Sequence, residues 1–213
     1  MRKILFILLA FSLITLVACN NIEVPTDDDI NYDLLKDLDY YQYLNKENPV
    51  VSIKIKDLGE IKAQLFPSLA PNTVNNFITY IQDQSYDNST FHRVIKNFMI
   101  QGGMVKNTRK AIPGEFARNG FANPLKHTRG VLSMARTAIS YNSQTSQFFI
   151  MHVDYPYLDY DYASFGGMIS GFDVLDQIAN TPTNASDAPL TTIVIESITV
   201  NLRGYEVGEV IYV

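Results

Sequence analysis

Tryptophan is absent and cysteine occurs once, at position 19. A lone thiol has no partner within its own chain, which excludes an intrachain disulfide. Histidine is scarce as well. His92, His127 and His152 are scattered, with no H-x-x-x-H pair and no cysteine beside them. Metal sites of the zinc type need such clusters, so no metal is expected. No G-x-S-x-G elbow is present, so Ser133, set in an apolar stretch, reads as core rather than as a nucleophile. No phosphate loop or dinucleotide fingerprint follows any predicted strand, and no cofactor is expected. Positive charge is also short: 17 Lys and Arg against 22 Asp and Glu, a formal net charge of −5. Binding to phosphate backbones needs a basic footprint, so nucleic acid is excluded as a partner.

What is present is enough for one packed domain with appendages. The chain has 213 residues, 46% of them hydrophobic and 12% aromatic. Met1-Arg2-Lys3 is a short positive start, and Ile4 to Ala18 is apolar apart from Ser12 and Thr15. That run is too short to span a bilayer and fits the apolar region of a signal peptide over residues 1–18. Leu16-Val17-Ala18-Cys19 resembles a bacterial lipobox. The resemblance implies a diacylglyceryl group on the Cys19 thiol and cleavage before it, leaving a lipid-anchored protein on the extracytoplasmic face of the cell membrane. Two acyl chains hold stably where one is marginal. Losing Arg2 and Lys3 with the leader takes the formal −5 to −7.

Residues 19–48 read as a tether. Thr26-Asp27-Asp28-Asp29 is polar and charged, while apolar residues at 34, 35, 38, 41 and 44 approach helical spacing. Two readings fit, a short helix resting on the domain and a semi-ordered spacer from the membrane, and the spacer is the expected one. Residues 49–200 form the domain. Val50 to Lys56 and Ile61 to Phe66 alternate around Asp57-Leu58-Gly59-Glu60, a hairpin. Apolar positions 74, 77, 78 and 81 predict a helix capped by Asn72. Met104 to Pro124 reads as a long loop, and strands follow at Val131–Ala135, Gln147–Met151 and Phe165–Ile169. Gly171 to Ala179 predicts a second helix, with Asp173 suited to its N-terminal dipole. Leu190 to Val200 closes as a last strand. Asn201 to Val213 is a tail.

The central stretch is Phe91-His92-Arg93-Val94-Ile95-Lys96-Asn97-Phe98-Met99-Ile100-Gln101-Gly102-Gly103. Its apolar residues predict buried strand on both sides of a break at Lys96-Asn97. Arg93 lies inside the apolar run, where a charge is costly unless it is paired or works at a site. Gln101 is a second polar group, and Gly102-Gly103 ends the strand without side chains to obstruct a groove. This stretch resembles the signature segment of the cyclophilins, peptidyl-prolyl cis-trans isomerases built on a β-barrel. Gly130-Val131-Leu132-Ser133-Met134-Ala135-Arg136 and Ser146-Gln147-Phe148-Phe149-Ile150 are similar to two further segments of that family. Tyr157-Leu158-Asp159 with Phe165-Gly166 matches in part.

The resemblance implies a mainly β fold, a closed eight-stranded antiparallel β-barrel with two capping α-helices. It implies isomerase activity on proline-containing polypeptides, here exported ones, by a protein expected to be a monomer. It implies Arg93 as the electrostatic catalyst and Gln101 as a hydrogen-bonding partner of the substrate backbone. Phe98, Met99, Phe149 and Leu158 form the implied proline pocket. Ala135 and Arg136 line the groove for residues before the proline, and Gln147 supports Arg93 from behind. Two positions depart from the family. Tyr157 stands where many members carry a Trp that contributes to binding cyclosporin, and Tyr162 stands where many carry a pocket His. Both are expected to touch substrate. The alternative is a non-catalytic module that holds proline-bearing segments in the same groove.

Overall fold

The computed structural model describes residues 30–213. The leader, Cys19 and the first part of the expected tether therefore lie outside the described residues.

The strands are β1 (Val50–Ile55), β2 (Gly59–Leu65), β3 (Ser89–Thr90), β4 (Arg93–Ile95), β5 (Met99–Gly102), β6 (Val131–Met134), β7 (Phe148–Met151), β8 (Ser164–Ser170) and β9 (Val194–Asn201). Two helices, α1 (Pro71–Gln82) and α2 (Phe172–Ala179), complete the set. The strands form one curled sheet in the order β3-β9-β1-β2-β8-β6-β7-β5-β4, antiparallel throughout. The expectation of eight strands in a closed barrel is corrected to nine strands in a half-barrel. The reason lies at Phe91-His92, which open the signature segment and separate β3 from β4. Before them β3 pairs with β9, and after them β4 pairs with β5. The two edge strands are not bonded to each other; the chain itself runs from one edge to the other.

Local chemistry accounts for the turns. The β1–β2 hairpin places Ile53 opposite Ile61, and its turn uses Asp57 at φ 61° and Gly59 at φ 125°. Asn97 at φ 59° makes the turn between β4 and β5, since Asn tolerates the left-handed region. The α1 cap differs from the expected one. Helix α1 begins with Pro71, suited to a first helical position, and Ala70 offers no capping side chain. The buried Glu115 carboxylate instead accepts from the amides of Asn72 (3.1 Å) and Thr73 (2.7 Å), a charged cap brought in from a distant loop.

Period-two alternation separates two apolar layers. Val94, Ile100, Leu132, Met134, Phe148 and Ile150 face the interior, where Phe77 of α1 meets Phe148 at 5.2 Å and Phe165 at 5.0 Å. Ile95, Met99, Val131, Phe149 and Met151 face outward into a second cluster. The exposed side of the sheet is thus apolar in its middle.

Residues 30–48 are not a free spacer. They form two short 3-10 helices, Tyr32–Leu35 and Tyr41–Tyr43, packed on the sheet. Leu35 joins Val50 and Ile169 in a third apolar cluster. Tyr40 is 1% exposed and donates to the Met168 carbonyl at 2.8 Å. Its ring lies over Gly167, where an added Cβ would stand 2.4 Å from it. Buried Gln64 is fully engaged by this strap: its amide donates to Tyr32 Oη (2.7 Å) and the Asn45 carbonyl (2.9 Å), and its oxygen accepts from Asn48 (3.1 Å). The tail is also tied down. Asn75 accepts from Tyr205 Oη (2.7 Å) and the Gly208 amide (3.2 Å), and Asn72 exchanges two hydrogen bonds with Ile211.

Candidate active site

Strand register builds the site. Arg93 pairs with Gln101, Gln101 with Phe149, and Phe149 with Ser133, one lateral row across β4, β5, β7 and β6. Met99 stands one pleat along, opposite Met151. Because alternate residues share a face, Arg93, Met99, Gln101 and Phe149 all point outward together. They line a cavity of about 430 Å³ with Phe98, Ala135, Arg136, Leu158 and Tyr162. Nine of the eleven residues selected from the sequence meet there. Gln147 lies behind the rim, and Tyr157 stands apart.

The floor is apolar and rigid. Phe149 is 4% exposed and Met99 2%. Tyr162 meets Phe149 edge-on at 5.8 Å, and the His127 ring stacks behind it at 6.1 Å. His127 is in turn held at both nitrogens, Nδ1 3.1 Å from Asp159 and Nε2 3.1 Å from Ser133 Oγ. These three residues meet in the order of a hydrolase triad, but Ser133 is wholly buried beneath Phe149 and has no access to substrate. The arrangement fixes the pocket floor instead. Burial pushes the Asp159 carboxyl up. The hydrogen bonds from His127, with the charges of His127 and Lys126, outweigh this and hold it below the ordinary carboxylate range.

The rim carries the polar groups. Arg93 Nη1 donates to Gln101 Oε1 at 3.4 Å, and Arg93 Nε to Asp187 Oδ2 at 3.3 Å. Gln101 Nε2 donates to Gln147 Oε1 at 2.9 Å. Gln147 therefore acts on Arg93 through Gln101, not by direct contact. Arg136 sits at the opposite corner, its guanidinium carbon 4.6 Å from the Tyr162 ring centre and 5.0 Å from that of Tyr141.

Tyr157 departs from its expected place. It is 84% exposed, its ring tilted against that of Tyr155 at 5.7 Å, and Tyr155 in turn meets Phe98 at 4.6 Å. The short 3-10 helix Pro156–Leu158 turns Leu158 inward and Tyr157 out. Three neighbours of the site were not read from the sequence. Asp187 lies in a polar loop 94 residues from Arg93, and Asp159 lies 32 from His127. No local pattern announces either pairing.

Fold and hollow together define a class: a curled antiparallel half-barrel with a cavity on its outer face, floored by Met99 and Phe149 and rimmed by Arg93, Gln101 and Arg136. Residues 50–200 match the family model described as cyclophilin type peptidyl-prolyl cis-trans isomerase/CLD. The chain is 43% identical over 143 residues to a peptidyl-prolyl cis-trans isomerase of Acinetobacter baylyi, covering 64% of this chain and 75% of that one. It is 39% identical over 156 residues to peptidyl-prolyl cis-trans isomerase B of Escherichia coli, covering 67% and 94%. Among solved structures it is similar to a cyclophilin type isomerase of Cryptosporidium parvum crystallised in the presence of the dipeptide Ala-Pro. That pair has a TM-score of 0.65 and 33% identity, over 71% of this chain and 98% of the other. The chain therefore belongs to the cyclophilin-type peptidyl-prolyl cis-trans isomerase family, and isomerisation of X-Pro amides is its activity.

Proposed function

We propose that the hollow seats the proline ring of exported polypeptides and that Arg93 stabilises the twisted amide at its rim. The observation that carries this reading is the Arg93 guanidinium at the rim of a cavity floored by Met99 and Phe149.

Isomerisation breaks no covalent bond. Its barrier of about 18–20 kcal/mol is amide resonance, so the enzyme must bind the twisted amide better than either planar form. Twisting localises a lone pair on the prolyl nitrogen and weakens conjugation to the carbonyl. A fixed N–H donor favours that state. The pocket holds the ring and strips water from the amide, which favours the less charge-separated twisted form. Phe98, Met99, Phe149, Leu158 and Tyr162 are the proposed ring contacts. Gln101 donates to the substrate backbone, and Gln147 fixes the Gln101 amide. Asp187 and Gln101 hold the Arg93 guanidinium before substrate arrives.

A charge-assisted hydrogen bond contributes about 1.5–3 kcal/mol, and each tenfold in rate needs about 1.4. Arg93→Ala is therefore expected to lower kcat/KM by roughly ten- to a hundredfold, read by exchange NMR on a proline tetrapeptide. An unchanged rate would remove Arg93 from the mechanism. The further reading is of a monomer anchored through acylated Cys19 on the outer face of the cell membrane. The lipobox-like Leu16-Val17-Ala18-Cys19 supports it.

A further inference from the structure

Three carboxylates stand near the hollow, and each is matched to another cation. Asp187 faces Arg93 at 3.3 Å, Asp161 faces Arg118 at 2.7 Å, and Asp159 is shared by His127 at 3.1 Å and Lys126 at 3.6 Å. Arg136, which lines the hollow itself, is left without a carboxylate among the described residues. It is nonetheless held firmly. Its Nε donates to the Asp161 carbonyl at 2.9 Å and its Nη1 to the Thr137 carbonyl at 3.0 Å. Tyr162, Tyr141 and Phe116 surround it, with ring centres 4.6, 5.0 and 5.7 Å from the guanidinium carbon. The groups that bond it are neutral carbonyls and rings, and the carboxylate of Asp161 itself is paired with Arg118. A guanidinium stays ionised, and ordering one on a solvent-facing rim costs side-chain entropy. The result is a preorganised positive charge with an acceptor still to be met.

Its position is set by register. Ala135 and Arg136 follow directly after β6, at the end where Met134 pairs with Phe148. Phe98 and Leu158 belong to the other end, where Met99 pairs with Met151. The cyclophilin resemblance implies that residues preceding the proline pass Ala135 and Arg136. We infer that Arg136 selects substrates with an acidic side chain in one of the two positions before the proline. The inference rests on the proposed seating of the proline ring, and it names a substrate class that seating alone does not.

The test compares purified full-length protein on tetrapeptides carrying Glu, Gln or Lys at either position before proline. Rates come from exchange NMR, and affinities from titration of the same peptides. A partly exposed charge pair supports about a fivefold Glu-over-Gln preference, near 1 kcal/mol at 1.4 kcal/mol per tenfold. The preference should shrink as salt rises from 20 mM to about 0.5 M, where screening shortens to a few ångströms. Arg136→Gln should bring the Glu-to-Gln ratio to about one, and Arg136→Lys should keep part of it. A wild-type ratio of one, or a ratio untouched by Arg136→Gln or by salt, overturns the inference. The salt dependence of the wild type decides even where a variant fails to fold. Failure of the Arg93 role shows separately, as an Arg93→Ala rate that does not fall while the Glu-to-Gln affinity ratio stands.

Discussion

Asp159 illustrates how one side chain serves the site without touching substrate. It accepts from the His127 ring and from the His127 amide at 2.8 Å, and His127 backs the pocket phenylalanine. Its carboxyl is held below the ordinary range in the fold and titrates near 3.9 when unfolded. Folding therefore favours the ionised form. The stability this adds is fully present above about pH 4 and is lost as pH falls through the lower folded value. Thermal melts from pH 7 to pH 2.5 should show a loss that Asp159→Asn flattens, with the variant already less stable at pH 7. A wild-type acid limb identical to that of the variant would contradict this. Tyr157 makes the opposite case, a side chain close in sequence to the site but turned away from the cavity. Cyclosporin is accordingly expected to bind weakly by calorimetry. Residue identity at Arg93, Gln101 and Phe149 was legible in the sequence because all three lie within the signature blocks. Asp187, Glu115 and the His127–Asp159 pair were not, because each acts across a sequence gap that no local period spans.

At the level of elements, the hairpin and both helices follow from alternation, turn residues and 3.6-residue spacing. The strap of residues 30–48 does not. Its apolar residues sit among charges, and the buried Gln64, the Val50–Ile169 patch under Leu35 and the glycine-lined seat at Gly130 and Gly167 give the segment its place. Both glycines are needed there, because a Cβ on either would stand within 2.6 Å of Tyr40. Tyr40→Ala is expected to cost about 3–5 kcal/mol, the range for emptying a buried aromatic site. Tyr40→Phe should cost only about 1 kcal/mol, for the Met168 carbonyl left without its donor. Chemical denaturation of both variants checks the order; equal losses would mean that the hydroxyl, not the ring, holds the strap.

For the whole molecule, the family match covers residues 50–200, and the chain adds a strap before it and a tied tail after it. No helix among the described residues is long and apolar enough to cross a membrane. Membrane attachment is proposed through Cys19. Cells fed labelled palmitate should yield labelled protein in the membrane fraction, and Cys19→Ser should lose both the label and the location. A Cys19→Ser protein that still sediments with membranes would point to another anchor. The broad architecture was legible because strand patterning is local. The count of nine strands was not, because β3 is only the polar pair Ser89-Thr90, whose strand character comes from pairing with β9 far along the chain.

The strap also locks a seam. Tyr40 bonds to the Met168 carbonyl of β8 while Asn45 and Asn48 engage Gln64 of β2, so one segment fastens two neighbouring strands from outside. Removing residues 30–48 should therefore loosen the β2–β8 pairing first, which hydrogen exchange on the shortened chain would read as lost protection at residues 62–65.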